Sequence, residues 1–385
     1  MSWLNFSKTI SEPMDYAETA AVIALSRLKG VGAPFLQILN EKGISAAEFL
    51  AMTPVQQGAA CSLAQMPQWS EAEIREAKAT GEKEALFCQR HKVKILSPIL
   101  DGYPRRLAIL DDAPSVLFVL GNADLDALHI IGVVGTRRIT PSGDRFCRKF
   151  VKDLGELVAN PLIVSGLAYG ADAAAHQSAL ESNLPTAAVL AHGLSMIYPA
   201  SHRQLAERIL HQGGALISQY LSEQKPFRGN FLQRNRVIAA LSDGVMIIES
   251  AMKGGAMNTA HAAFDFSRSV MALPGRPTDA MSEGCNHLIR HQIATLTTDA
   301  RQACHTLGWE TAKEKPQTAD PTLFRQPDSE LMPVYTLLQQ SDAPVGIDFI
   351  MMKCGLPPAR LTAMLFALEE DGFIARLPNN RYTII

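Results

Sequence analysis

The sequence lacks both an excess of one charge and any long apolar run. Its 385 residues include 36 Lys and Arg and 38 Asp and Glu, which gives a formal net charge of −2. Because this charge is close to zero, any nucleic-acid binding has to come from a local basic patch. No run approaches the length of a membrane span, and the N-terminal stretch MSWLNFSKTISEPMDY has no basic region followed by an apolar one. These absences predict a cytoplasmic protein without membrane contact.

Sequence patterns for disulfides, metals and bound nucleotides are missing as well. The six cysteines are scattered, with no Cys-x-x-Cys pair and no zinc-like Cys/His spacing, which favours free thiols in a reducing compartment. No G-x-x-x-x-G-K-[ST] loop occurs, so nothing indicates bound ATP. We therefore expect neither a metal nor a cofactor.

The first of three blocks, residues 1–83, is predicted to be helical. It shows helical apolar periods on both sides of the turn Gly30-Val31-Gly32, which predicts a small domain of the SAM-like or helix-hairpin-helix type. The glycine turn of such a hairpin can offer backbone N–H groups to a DNA phosphate, and the same turn also serves as a plain helix connector. Both interpretations stay open for this block.

The second block, residues 84–309, alternates short apolar runs with amphipathic stretches. The runs are IIGVV, PLIVS, AAVLA, ALISQ, VMIIES and VMALP. Strands this apolar are buried on both faces, and their alternation with helices is typical of a parallel sheet covered on both sides. The fold class predicted for this block is α/β, with a Rossmann-like, doubly wound and mostly parallel sheet.

The third block, residues 329–385, follows a predicted linker over residues 310–328, whose mix of charge, Pro and Thr indicates flexibility. Three short helical patterns and the hairpin FIARLPNNRYTII predict a winged helix. DNA binding is the usual expectation for that fold, but the third helical pattern carries Arg360 as its only basic residue and ends in the acidic run Glu369–Asp371. This charge argues against a strong phosphate contact, so a protein-binding role is at least as well supported.

The candidate binding loops are the segments that follow the apolar runs. Ligands of an open parallel sheet bind at the carboxyl ends of its strands, near the point where the strand order reverses. The segments placed there by the sequence are Gly135–Gly143, Gly166–His176, His192–Leu205, Lys225–Asp243 and Glu249–Ala263.

Six motifs follow one another between Pro104 and Leu296. They are VVGTRR, VSGLAYGADAAAH, GLSMIYPASH, FLQRNRVIAALSD, VMALPG and EGCNHLI. In this order they resemble the DNA-processing protein family DprA, also called Smf. The resemblance implies a homodimeric protein that binds single-stranded DNA without catalysing a reaction. It also implies that the protein protects incoming DNA and loads the RecA recombinase during natural transformation.

Gly135, Thr136 and Arg137 match the family's Gly-Ser/Thr-Arg motif, whose arginine lies in the single-strand pocket. Gly135 lets the chain turn sharply after a strand, Thr136 and the next amides can meet a phosphate, and Arg137 supplies a planar donor fork. The alternative is that Arg137 and Arg138 are solvated surface charges without a binding role. We favour DNA contact for Arg137 and hold the two interpretations even for Arg138.

Lys253 matches the lysine of the family's Lys-Ser-Gly-Ser segment, which faces DNA at the start of a helix. In this chain Gly254 and Ala256 replace the two serines, so fewer hydroxyl groups are available to bond a phosphate. Backbone N–H groups at the helix start, around Gly254 and Gly255, are expected to contribute more instead. A solvated loop charge remains the alternative for Lys253.

The segment Lys225–Arg236 contains four cations and no acidic residue, with two phenylalanines between them. Cations that follow a phosphate backbone, interleaved with rings that stack on bases, suit a single-strand site. We expect Phe231 to anchor the helix in the core, leave Phe227 open, and consider Arg236 equally suited to an ion pair. Besides the residues around Arg137 and Lys253, the DNA-binding candidates are Gly166, Lys225, Phe227, Arg228, Arg234, Asn235 and Arg236.

A catalytic interpretation is the rival. Asp172 and His176 lie four residues apart and could form an acid/base pair, but we expect Asp172 to stabilise a helix start and His176 to bond a loop carbonyl. The rival function is a Rossmann-like hydrolase of nucleoside monophosphates, whose Pro-Gly-Gly-x-Gly-Thr loop would fall at ESAMKGGAMNTAHAA. No glutamate follows Gly255 within that helix, so the acid/base group of such an enzyme is missing.

Overall fold

The computed structural model describes residues 15–61, 69–311, 327–341, 344–371, 373–377 and 381–384. The chain divides into two compact units, Met1–Ala312 and Lys313–Ile385. Within the described residues, no helix is both long enough and apolar enough to span a membrane. Most of the predicted linker, residues 312–326, lies outside the described residues.

The described residues before the sheet form five helices, in agreement with the helical block that the sequence predicts. They are α1 Tyr16–Arg27, α2 Ala33–Glu41, α3 Ala46–Ala51, α4 Pro54–Cys61 and α5 Glu71–His91. The glycine turn joins α1 to α2, with Gly30 at φ +87°. Serines start two of these helices, since Ser45 and Ser70 each form a capping box with a glutamate three residues later. Helix α5 continues through residue 83, where the sequence places a domain boundary, and that boundary stays a prediction.

A sheet of nine strands forms the centre of this unit. Its strands are β1 Lys94–Leu96, β2 Leu117–Gly121, β3 Ile130–Val134, β4 Leu162–Ser165, β5 Thr186–Leu190, β6 Ala215–Ser218, β7 Gly244–Ile247, β8 Ser269–Ala272 and β9 Thr295–Leu296. The strand order is β1-β2-β6-β5-β4-β3-β7-β8-β9, and the strands from β6 to β9 in that order pair in parallel. The predicted doubly wound, mostly parallel sheet is thus confirmed. The antiparallel strands β1 and β2 are an addition that the apolar runs did not indicate.

The strand order reverses at β3, which is the topological switch point of the sheet. The chain runs from β3 through β4 and β5 to β6 on one side, and then returns to place β7 on the other side of β3. The register pairs Ile131 with Ile163 of β4 and with Gly244 of β7. A crevice therefore forms at the carboxyl end of β3, between the loops that leave β3, β4 and β7.

Helices cover both faces of the sheet. They are α6 Arg105–Ala108, α7 Pro141–Leu157, α8 Ala171–Glu181, α9 Arg203–His211, α10 Arg228–Leu241, α11 Gly255–Asp265, α12 Glu283–Arg290 and α13 Ala300–Leu307. One apolar cluster contains Leu25 and Leu36 of the N-terminal helices together with Leu180 of α8 and Leu216 of β6. The N-terminal helices therefore pack on the α/β core and bury apolar surface jointly with it.

The second unit is a winged helix, which confirms the prediction for the last block. Its elements are α14 Met332–Gln339, β10 Val345–Gly346, α15 Ile347–Cys354, α16 Pro358–Glu370, β11 Ile374–Leu377 and β12 Arg381–Ile384, with strand order β10-β12-β11. Helix α16 buries Leu361, Leu365 and Leu368, which recur at the helical period. Its other face is exposed and carries Phe366, of which 64% is exposed.

Candidate nucleic-acid interface

A cavity of about 320 Å³ opens beside the carboxyl end of β3. The loops after β3 and β7 and residues of α10 and α11 form its walls. Open α/β sheets bind ligands at this position, in pockets that usually measure ~300–1,000 Å³. Eight predicted DNA-binding residues line the cavity: Gly135, Thr136, Arg137, Arg138, Arg234, Asn235, Gly254 and Gly255.

The loop that carries Arg137 is fixed by hydrogen bonds within the protein. The amide of Thr136 donates to the carbonyl oxygen of Glu249 at 2.7 Å, and the amide of Arg138 donates to the Thr136 hydroxyl at 3.2 Å. Both amides therefore already have partners within the protein, and a phosphate contact by either of them has no geometric support. The loop instead presents the side chains of Arg137 and Arg138, both of which are exposed.

Glu249, at the end of β7, holds the other end of this loop. Its buried carboxylate accepts from the amide of Thr140 at 2.9 Å and from the Thr140 hydroxyl at 2.5 Å. The same hydroxyl accepts from the amide of Gly143 at 3.0 Å and so caps α7. Hydrogen bonds to Glu249 therefore hold both ends of the loop from Gly135 to Thr140. Glu249 begins one of the predicted binding segments but is not among the predicted site residues.

Glycines allow the loops after β3 and β4 to pack against each other. Gly170 has φ +74°, and a Cβ at this residue would collide with the carbonyl oxygen of Thr136. A Cβ on Gly135 would lie 2.7 Å from the Cβ of Ala171. The amide of Ala171 donates to the Thr136 carbonyl oxygen at 3.1 Å. The two loops are therefore one packed unit, and the position of Arg137 depends on both.

Phe231 lines the cavity and is only half-buried, so the expectation that it anchors α10 in the core is wrong. The guanidinium carbon of Arg137 lies 5.2 Å from the centre of the Phe231 ring, and that of Arg234 lies 5.7 Å from it. Tyr198, 48% exposed, contacts the same ring edge to face. Because cations attract an aromatic face, this ring orients Arg137 at the mouth of the cavity.

Arg234 lies at the bottom of the cavity and is 4% exposed. Its Nη1 donates to the carbonyl oxygens of Gly166 and Val189, and its Nε donates to Oδ1 of Asn235 at 3.0 Å. Burial lowers the pKa of Arg234, and the neighbouring carboxylate of Asp172 opposes that shift. These contacts give Arg234 a structural role, and its contact with DNA stays a prediction.

Asn235 connects two helices at the cavity wall. Its Nδ2 donates to the carbonyl oxygen of Gly255 at 3.2 Å, which ties α10 to the start of α11. The amide of Gly254 donates to the Ala251 carbonyl oxygen at 2.9 Å and is not free for a phosphate. Helix α11 begins at Gly255, and the amide of Met257 in its first turn donates to the Gly254 carbonyl oxygen at 3.1 Å, so the predicted phosphate contact falls to the amides of Gly255 and Ala256.

Arg236 is the predicted site residue that points away from this cavity. It forms an ion pair with Asp112, and its guanidinium carbon lies 4.8 Å from the centre of the Phe266 ring. Of the two interpretations that the sequence left open for Arg236, the structure therefore contains the ion pair, and a role in DNA binding has no geometric support.

The remaining candidates surround the cavity. Lys225, Phe227, Arg228 and Lys253 are exposed, with 68% of Phe227 accessible. Gly166 lines a second, smaller cavity of about 30 Å³ next to the first, where a Cβ would collide with the Arg234 guanidinium. Both Arg137 and Phe231 line the two cavities, so these form one continuous region.

Asp172 and His176 are buried and do not form an acid/base pair. Asp172 accepts from the amide of Ala168 at 3.2 Å, just before α8, and burial raises the pKa of its carboxyl. His176 Nδ1 bonds the Thr186 hydroxyl of β5 at 2.7 Å, so the expectation that it bonds a loop carbonyl is wrong. The histidine that bonds a loop carbonyl is His202, whose Nδ1 lies 2.9 Å from the carbonyl oxygen of Leu167.

Comparison with known proteins identifies the family of this fold and site. The sequence model of the family described as DNA recombination-mediator protein A matches residues 94–308. The chain belongs to this family. A second model, described as the DprA winged helix domain, matches residues 313–380. The resemblance to DprA and Smf is thus confirmed over the α/β core and extends to the winged helix.

Relatives in this family match most of the chain. Protein Smf of Synechocystis is 33% identical over 96% of this chain and 99% of its own length. Protein Smf of Escherichia coli K12 is 36% identical over 72% of this chain and 73% of its own length. The X-ray structure of DNA processing protein A from Streptococcus pneumoniae matches with a TM-score of 0.61 and 28% identity, covering 77% of this chain and 98% of that one.

The site of this DprA-family chain contains residues that the motifs did not indicate. Asn258 and Thr259 of α11 and Met281 of the loop after β8 line the cavity. The sulfur of Met281 lies 3.4 Å from the Thr136 hydroxyl. Asn258 and Thr259 follow Gly255 by three and four residues, so the helical period places all three on one face. This spacing is the signal that could have found them, whereas nothing in the sequence indicates Met281.

Proposed function

We propose that the cavity and the cations around it bind single-stranded DNA. The observation that carries this proposal is a set of exposed cations at one edge of the sheet. Among the described residues, no carboxylate lies within ion-pair distance of any of them: Arg137, Arg138, Lys225, Arg228 and Lys253. Unpaired cations are available to a polyanion, whereas Arg148, Lys149 and Lys152 of α7 are paired with acids on the same helix.

A single strand fits this site better than a duplex because aromatic rings lie among the cations. Phe227, Tyr169 and Tyr198 are each about half exposed or more, and Phe231 lines the cavity. Base stacking on such rings contributes ~1–3 kcal/mol per base, and only unpaired bases offer their faces. The cavity itself has the dimensions of a small-molecule pocket and suits one inserted base or nucleotide.

Family membership supports a further proposal about the biological role. We infer that the chain acts in the cytoplasm as a homodimer, protects incoming single-stranded DNA and loads the RecA recombinase during natural transformation. The support is the match of the family model and of full-length relatives named Smf. Loading is tested by whether the chain speeds RecA filament assembly on strands already covered by single-strand-binding protein, and dimerisation by sedimentation at two protein concentrations.

The decisive experiment compares ligands on the full chain. Affinities for a single strand, a duplex and an RNA of equal length are measured by fluorescence anisotropy, with Arg137→Ala as the test variant. Arg208→Ala is the matched control, because Arg208 is also exposed but belongs to the last turn of α9, at the opposite edge of the sheet. We expect the single strand to bind most tightly and Arg137→Ala to lose about tenfold or more in affinity.

Salt dependence gives an independent measure of the same contacts. The logarithm of affinity should fall with the logarithm of salt concentration at about 0.7 per phosphate contact on a single strand, and Arg137→Ala should lower that slope. Equal binding by Arg137→Ala and Arg208→Ala would show that the site assignment is wrong. Hydrolysis of a nucleoside monophosphate by the full chain would favour the enzymatic alternative.

A further inference from the structure

We propose that the N-terminal helical block, extended to the end of α5 at His91, serves the single-strand site by positioning: Glu84 of α5 holds the backbone of the segment that presents Lys225, Phe227 and Arg228. This proposal rests on the single-strand function above. It assigns the block a role as a support for the binding loop and not as a second surface for DNA.

The contact between α5 and this segment is a two-point hydrogen bond to one residue. Oε1 of Glu84 accepts from the backbone amide of Ser222 at 2.7 Å, and Oε2 accepts from the Ser222 hydroxyl at 2.9 Å. Only 5% of Glu84 and 4% of Ser222 are exposed. Beside this contact, Lys83 pairs with Glu223 at the surface. The carboxylate thus fixes both the backbone and the side chain of the residue three positions before Lys225.

A buried carboxylate without a buried cation is costly, and its hydrogen bonds have to compensate. Burial raises the pKa of the Glu84 carboxyl, and its two bonds to Ser222 act in the opposite direction. An apolar residue would fill the same space in the interface between α5 and the core at less cost. The position of Glu84 is therefore best explained by what it holds, which is the loop that follows β6.

The loop after β5 holds the same segment from the other side. The amide of Gly193 donates to the carbonyl oxygen of Gln224 at 2.8 Å, and the amide of Ser195 donates to that of Ser222 at 3.1 Å. A Cβ on Gly193 would collide with the carbonyl oxygen of Leu221. Ser222 is therefore bonded on one side to α5 and on the other to the α/β core.

The support continues to the start of α10, where the cations are. Nδ2 of Asn230 donates to the carbonyl oxygen of Ala191 at 3.1 Å, and the Tyr220 hydroxyl donates to the Asn230 carbonyl oxygen at 3.1 Å. Between these fixed points the side chains of Lys225 and Arg228 are exposed and unpaired. A backbone already held in its bound geometry loses less conformational entropy when DNA binds, which raises affinity.

The surface of the N-terminal block is poorly suited to DNA. Its described residues, 15–61 and 69–93, contain eight Lys and Arg and nine Asp and Glu. At the hairpin turn, the amide of Val31 already donates to the Leu28 carbonyl oxygen, and the Lys29 carbonyl oxygen accepts from the Trp69 indole at 3.0 Å. The amide of Val31 is therefore not available to a phosphate, which favours the helix connector among the two interpretations that the sequence left open.

The test compares Glu84→Ala with Glu18→Ala in the full chain. Glu18 is the matched control because its carboxylate also accepts two bonds, from the amides of Ala46 and Ala47 at 2.6 and 3.0 Å, but within the N-terminal block. We expect Glu84→Ala to weaken single-strand binding about five- to tenfold and Glu18→Ala to leave it unchanged. Glu84→Gln, whose side-chain oxygen still accepts from the Ser222 amide, should recover part of the loss.

A thermodynamic cycle separates positioning from general destabilisation. If Glu84 acts through the segment, adding Glu84→Ala to the Lys225→Ala/Arg228→Ala variant causes no further loss of single-strand affinity. Adding it to Arg137→Ala causes the same fold-loss of affinity as in the wild type. Wild-type binding by folded Glu84→Ala, an equal loss in Glu18→Ala, or additivity with Lys225→Ala/Arg228→Ala would overturn the proposal.

Two further measurements keep the test decisive. If Glu84→Ala does not fold, Ser222→Ala, which removes only the hydroxyl donor, should still weaken binding about threefold, and no change would overturn the proposal. Failure of the wild-type chain to bind a single strand would instead show failure of the single-strand function itself. The two failures are therefore distinguishable.

Discussion

The α/β core and the winged helix are both folds that commonly contact nucleic acids, but their exposed faces carry opposite charge. The loops around the core cavity present five cations without carboxylate partners among the described residues. The exposed face of α16 presents Arg360, Phe366 and the acidic pair Glu369 and Glu370. Because both folds can contact nucleic acids, the fold alone does not determine which ligand binds. The charges on the exposed surface determine it.

The two regions also differ in how firmly their backbones are held. In the core, buried carboxylates such as Glu249 and Glu84 bond the loops that carry cations, and glycines such as Gly170 allow those loops to touch. In the winged helix, Gly355 at the end of α15 has φ +63° and no atom within contact distance of a Cβ placed there. The core site is thus preorganised for a ligand, whereas this glycine only ends a helix.

The largest difference in single-strand affinity should come from substituting Gly170 in the core and Gly355 in the winged helix. In Gly170→Ala the new Cβ meets the Thr136 carbonyl oxygen at a φ of +74°, so we expect the Arg137 loop to shift and single-strand affinity to fall at least ~30-fold. Gly355→Ala, at a similar φ with open space, should cost ~1 kcal/mol of winged-helix stability and leave affinity unchanged. Anisotropy titrations and thermal unfolding of both variants measure this. Equal binding losses in the two would contradict the assigned contrast.

Acid should destabilise the first unit more than the second. Burial lowers the pKa of His176 to about 3, whereas the unfolded chain titrates near its ordinary value of 6.5. Below pH 6.5 the unfolded state binds a proton that the folded state does not. This contribution to the free energy of unfolding is therefore complete above pH 6.5 and falls by up to ~1.4 kcal/mol per pH unit as the pH drops toward 3.

Urea unfolding followed by circular dichroism between pH 7.5 and 4.5 measures this slope. His176→Gln removes the titrating group and should flatten the slope of the first unit. The sequence from Lys313 onward contains no histidine, so the winged helix should show no corresponding loss in this range. A slope that is the same in wild type and His176→Gln would contradict the buried neutral state of this residue.

The smallest expected effect is a gain of DNA binding by the winged helix. Glu369→Lys with Glu370→Lys reverses the charge at the end of α16, so duplex affinity at low salt should rise a few-fold, with a slope steeper by up to about 0.9 per new contact. Glu76→Lys with Glu82→Lys makes the same charge change on the exposed surface of α5 and is the control. If both double variants gain equally, the exposed face of α16 is not the barrier to DNA.

The sequence predicted the parts of the site that depend on local pattern. Gly135 and Arg137 follow a buried strand and line the cavity as expected, because the end of an apolar run is visible in the sequence. Phe231 was misjudged, since helical periodicity does not distinguish a residue facing the core from one facing a cavity. The partner of the Thr136 amide could not be predicted from local pattern, because Glu249 lies 113 residues later in the chain.

The sequence by itself determined the alternation of helices and strands in the parallel sheet, the winged helix and the family, because these depend on local periodicity and on motifs within single segments. The tertiary structure alone decided which cations remain unpaired, which amides are already bonded and which carboxylates hold the loops. Arg236 and Arg137 show the difference: both are arginines of motif segments, but one meets Asp112 and the other a cavity. Such partners lie far apart in sequence, and only the packing of distant segments brings them within hydrogen-bonding distance.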